Sequence, residues 1–69
     1  MTVPFTAAIL PSRNEPATIA AVTTAADQAM GEGAVIVHAD SSDTPDTADR
    51  FAATPTQAGK VELTGLGGG

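Results

Sequence analysis

The 69-residue sequence predicts an α/β fold: a β-α-β-α-β order of parallel strands joined by right-handed crossovers. Three observations carry that reading. Two short apolar runs, Phe5 to Leu10 and Ala34 to Ala39, each give way to polar turn residues. Between them lies a stretch with apolar residues at helical spacing, opened by Pro16 and closed by Gly31 and Gly33. A second helical stretch follows, and then a third, weaker apolar run from Lys60 to Leu66.

Each element has its own chemical signature. Pro11 lacks an N–H for a strand ladder and is expected to stop the first strand, leaving Ser12 to Glu15 as a loop. In the first helix, Ile19, Val22, Ala26 and Ala29 or Met30 form the expected apolar stripe, with Thr23, Thr24, Asp27 and Gln28 on other faces. Val35, Ile36 and Val37 run without alternation, which predicts a second strand covered on both faces. Asp40 to Asp43 is a polar turn. Thr44 and Pro45 read as N-cap and first position of a short helix, with Asp46 and Asp49 near its positive end. Ala48, Phe51 and Ala52 are its apolar face, and Thr54-Pro55 stops it. Gly67 to Gly69 reads as a flexible tail.

Composition limits what such a chain does. Leu, Ile, Val and Phe number thirteen, and with a net charge of −5 this lies at the edge of compositions that fail to fold. Without cysteine there is no disulfide to compensate. Residues 1–69 read as a single partial domain, too small for a self-contained enzyme. Arg13, Arg50 and Lys60 are the only basic side chains, which argues against nucleic acid or anionic lipid as a partner. No apolar run approaches the ~20 residues of a membrane span, and the N-terminus lacks a signal-peptide pattern, so a cytoplasmic location is expected. An uncovered sheet would favour self-association.

In an open parallel sheet, ligands bind outside the carboxyl ends of the strands. Three polar segments fall there: Pro11 to Glu15, Asp40 to Asp43, and Gly65 to Gly69. Glu15 either stabilises a helix N-terminus or meets the hydroxyls of a ligand such as a ribose, and Arg13 is either a solvated charge or part of that loop. Asp40 and Ser41 either accept from a base edge or sugar hydroxyl, or hold their own turn. His38, the only histidine, is read as structural packing. The terminal glycines lack the Gly-Lys-Ser/Thr continuation of a P-loop, and Pro11-Ser12 stands where a dinucleotide fold carries its G-x-G-x-x-G.

Two segments together carry a family resemblance. Ala8-Ile9-Leu10-Pro11-Ser12-Arg13-Asn14-Glu15-Pro16-Ala17-Thr18-Ile19 resembles the first strand, proline-containing Asn-Glu loop and helix start of family 2 glycosyltransferases of the GT-A type. Val35-Ile36-Val37-His38-Ala39-Asp40-Ser41-Ser42-Asp43-Thr44-Pro45-Asp46-Thr47 is similar to the family's second strand and acidic turn. The likeness spans residues 5 to about 66. It implies the N-terminal, nucleotide-binding half of a Rossmann-like fold. The implied ligand is a UDP- or GDP-linked sugar, bordered by Pro11, Ser12, Arg13 and Glu15, with Asp40 on the base and Ser41 beside it. Matching Ser41-Ser42-Asp43 to the family's Ser-Ser-Asp would instead set His38 and Ala39 opposite its acidic pair. The alignment on Asp40 keeps a carboxylate where the base needs an acceptor.

The resemblance also implies a divalent metal, Mg or Mn, held by a later Asp-x-Asp, and a catalytic base further on. Neither has a counterpart in this chain, so it is expected to bind no metal and to transfer nothing by itself. Two other readings stand beside this one: a non-catalytic α/β interaction module, and an unstable truncated product.

Overall fold

Five elements follow in the expected order: β1 (Thr6–Ser12), α1 (Pro16–Met30), β2 (Ala34–Asp40), α2 (Asp46–Ala53) and β3 (Gly59–Leu63). The computed structural model describes residues 6–65. The strand ends assigned above to Phe5 and Leu66, and the tail Gly67 to Gly69, lie outside the described residues.

The three strands form one parallel sheet in the order β1-β2-β3. Both crossovers step the same way across the sheet, so right-handed connections place α1 and α2 on the same face. The helices pack against one another and against the sheet. Burial along β2 alternates accordingly: Ala34, Ile36, His38 and Asp40 are buried, while Val35, Val37 and Ala39 are half-buried. The expectation that β2 is covered on both faces is therefore corrected. A uniform apolar run is compatible with either arrangement, and here no element among the described residues covers the second face.

Element bounds depart from expectation for local reasons. Pro11 does not stop β1, which continues to Ser12 and pairs through Pro11↔Ala39 and Ser12↔Asp40. At the edge of a sheet, a missing N–H on the outer side breaks no ladder bond. β2 likewise runs one residue further than expected, to Asp40. Thr44 does not cap α2; Pro45 occupies the N-cap and accepts the Asp49 N–H at 2.8 Å. β3 begins at Gly59 and ends at Leu63, so Thr64 and Gly65 are not strand.

The core is small: Ile19, Ala34, Ile36, Phe51 and Ala58, with Leu10, Ala26 and Met30 packed against it. On α1 the inward stripe is Ile19, Thr23, Ala26 and Met30. Of the alternatives Ala29 and Met30 it is Met30 that packs inward; Val22, expected inside, is 40% exposed, and Thr23, expected outside, is fully buried. Single polar residues at helical spacing hide from a pattern built on apolar residues alone.

Polar groups tie the amino edge of the sheet. α1 ends at Gly31, whose φ of 75° suits glycine and whose N–H donates to the Asp27 carbonyl at 2.8 Å. The Asp27 carboxylate accepts the backbone N–H groups of Gln57 at 3.0 Å and Ala58 at 2.9 Å, fixing the approach to β3. Lys60 Nζ donates to the carbonyls of Phe51, Ala52 and Thr54 at 2.6–3.0 Å, satisfying the negative end of α2. Among the described residues, no helix is long and apolar enough to cross a membrane.

Candidate functional site

Parallel pairing sets Ser12 beside Asp40 at the carboxyl edge, so the chains leaving β1 and β2 run alongside one another. They are cross-braced by side chains. The Ser41 N–H donates to the Ser12 carbonyl at 3.0 Å, and Ser41 Oγ reaches the same oxygen at 3.3 Å. Arg13 donates through Nη1 to the Ser41 carbonyl at 2.5 Å and through Nη2 to Asp43 at 3.0 Å. Asn14 takes a φ of 52°, a left-handed conformation that asparagine tolerates well. From there its N–H donates to Ser42 Oγ at 2.6 Å and its Nδ2 to Asp43 at 3.0 Å, while its Oδ1 accepts the Asp43 N–H at 2.9 Å.

The electrostatics follow from these bonds. The hydrogen bond from Asn14, and then the nearby Arg13 charge, hold the Asp43 carboxyl below its ordinary value although it lies in solvent. Asp40 is buried, and its Oδ1 accepts the Ser42 N–H at 3.1 Å and Ser42 Oγ at 2.5 Å, an Asx turn that shapes the second loop. Glu15 is exposed and makes no side-chain cap to α1. Its backbone does the structural work: the N–H donates to Thr47 Oγ1 on α2, and the carbonyl accepts from Thr18 and Ile19.

Beneath the loops, a chain of polar contacts crosses all three strands. Ser12 Oγ lies 2.5 Å from His38 Nε2, and His38 Nδ1 lies 2.7 Å from Glu62 Oε1. In the neutral tautomer with its hydrogen on Nδ1, His38 donates to Glu62 Oε1 and accepts the Ser12 O–H at Nε2. Ser12 has one proton, and the 3.4 Å approach of its Oγ to Asp40 Oδ1 is the weaker contact. His38 is fully buried and packs on Phe51, with ring centroids 4.7 Å apart.

The structure thus brings Ser12 and Asp40, the last residues of β1 and β2, together with Arg13, Glu15 and Ser41 of the two loops that follow. Pro11 sits within β1 and lines, with Ser12, Glu15 and Thr18, a cavity of about 110 Å³ over α1. Three bracing residues were outside the expected set: Asn14, Ser42 and Asp43. His38 was assigned to packing and Glu62 to no role. One signal for Glu62 was present: Val61-Glu62-Leu63 alternates, which puts the carboxylate on the face opposite its aliphatic neighbours. Among the described residues, no group of three or more His, Cys, Asp or Glu side chains converges as a metal site would need, so the implied divalent ion has no ligand set here. In comparisons with family models, curated proteins and solved structures, nothing matches this chain.

Proposed function

We propose that the carboxyl edge of this sheet recognises the nucleotide part of a nucleotide-sugar donor, as the N-terminal portion of a family 2, GT-A-type glycosyltransferase. The observation that supports this most is the bracing of the two loops. Residues 12–15 and 41–43 are held in one geometry by paired side-chain bonds before any ligand arrives, which lowers the ordering cost of binding. In this reading Asp40, whose Oδ1 is engaged in its own turn, accepts from a base N–H through Oδ2. The exposed Glu15 carboxylate, which makes no cap to α1, accepts from ribose hydroxyls. The chain alone binds donor weakly and transfers no sugar, and no metal-dependent step is assigned to it.

The test is a proton–nitrogen correlation spectrum of the labelled chain titrated with UDP and then GDP, with and without Mn²⁺. Shifts concentrated at Ser12 to Glu15 and Asp40 to Asp43 support the reading. A dispersed spectrum with no nucleotide response overturns it.

A second reading, an interaction module that associates with its own copies, draws on the open sheet face. Ile9, Val61 and Leu63 are 67%, 42% and 45% exposed there. Apolar side chains contiguous on one surface mark contact sites.

A further inference from the structure

The contacts Ser12 Oγ to His38 Nε2 and His38 Nδ1 to Glu62 Oε1 have the connectivity of a nucleophile, its general base and the carboxylate that orients the base. Each strand contributes one member. Register sets Leu10 opposite His38 and His38 opposite Glu62, and Ser12 follows Leu10 by two residues on the same face. Ser12 also lines the cavity of about 110 Å³ whose walls include Leu10, Ile19 and Val22. Those aliphatic walls suit a short apolar chain, and the Glu15 in the same lining disfavours an anionic one.

We propose that Ser12 is a nucleophile for acyl transfer from small apolar esters, with His38 as general base and Glu62 as a positioning residue. The site shares Ser12 and Glu15 with the edge proposed to bind donor, but acyl transfer uses the Ser12 hydroxyl and the cavity beside α1. Ser12 Oγ attacks the ester carbonyl carbon while its proton passes to His38 Nε2. The bond from that carbon to the leaving oxygen breaks, and the proton moves from Nε2 to the departing alcohol. Water then attacks the acyl-Ser12 ester, giving one proton to Nε2. The acyl group leaves as the carboxylic acid, and Ser12 Oγ recovers its hydrogen from Nε2. Glu62 holds the Nδ1 hydrogen throughout and stabilises the transient imidazolium.

The probes are p-nitrophenyl acetate, p-nitrophenyl butyrate and an alkyl fluorophosphonate, applied to the full chain. The readouts are nitrophenolate release, intact mass and mapping of the modified peptide. The fluorophosphonate is expected to add once, at Ser12, and Ser12→Ala to abolish both the adduct and the initial burst. Glu62→Gln keeps an acceptor for Nδ1–H but removes the charge. It is expected to lower the rate roughly 10²-fold, the lower end of general-base effects, with an unchanged far-UV spectrum. If Glu62→Gln unfolds the chain, adduct formation on the parent protein decides. No adduct at Ser12 in the folded chain, or ester hydrolysis indifferent to Ser12→Ala, overturns the proposal and leaves the contacts as strand ties. Because nucleotide titration reads a different response, either result leaves the donor-binding reading separately testable.

Discussion

The two faces of the sheet are chemically inverted. The face under α1 and α2 carries Ile36, but also His38 and Asp40, all nearly inaccessible. The face without helices carries Ile9, Val37, Val61 and Leu63, with Ile9 two-thirds exposed. A sheet solvated on one side ordinarily shows polar residues to water and apolar ones to the core. Here the polar side chains are tolerated inside because they are bonded to one another, across strands and within turns. Burial on this sheet therefore follows the polar network as much as hydrophobicity, and among the described residues nothing covers the aliphatic face.

The covered side is the more sensitive of the two. Phe51 is the largest side chain of the small core and supports the His38 ring. Phe51→Ala is expected to cost about 3–5 kcal/mol, the range for emptying a buried aromatic site. In a domain this small that removes the cooperative thermal transition, as circular dichroism would show. The open face should behave in the opposite way. Leu63→Lys is expected to shift folding stability by no more than about 0.5 kcal/mol, while moving sedimentation toward the monomer. A large stability loss in this variant would mean that the face is covered in solution.

The smallest effect lies at the loop brace, beyond both faces. Asp43 has a lowered pKa in the folded chain, so its ionised form favours the braced loops above the ordinary value of 3.8. That contribution is fully present at neutral pH and is lost as pH falls below 3.8 and through the lowered pKa. The Asn14 side-chain amide signals should follow the titration, and Asp43→Asn should remove the step.

Element order was legible because punctuation was strong. Pro16, Gly31 and Thr54-Pro55 bound the helices where backbone chemistry requires it, and the tertiary structure did not override them. The covered face was not legible, because Val35-Ile36-Val37 suits burial on one side or both. The loops at the carboxyl edge could be found from topology alone, since parallel strands bring residues 12–15 and 41–43 together. Their internal bonds could not, because Asn14 and Asp43 meet only through a left-handed backbone turn. The Ser12–His38–Glu62 chain depends on register across three strands, and an irregular segment with bends at Thr54 and at Gln57–Ala58 precedes β3. A shift of one residue there would have turned Glu62 to the open face.

The parallel register also governs how the sheet assembles. Contacts between β1 and the end of β2 close across 28 residues, and those between β2 and β3 across 24. Neither pair can zip from a tight hairpin, so each ladder waits for its intervening helix to fold back. Helical contacts are local and need no such closure. β3 carries both Lys60 and Glu62. Pairing of this one strand therefore supplies the carboxylate bonded to His38 and the cation at the carboxyl end of α2.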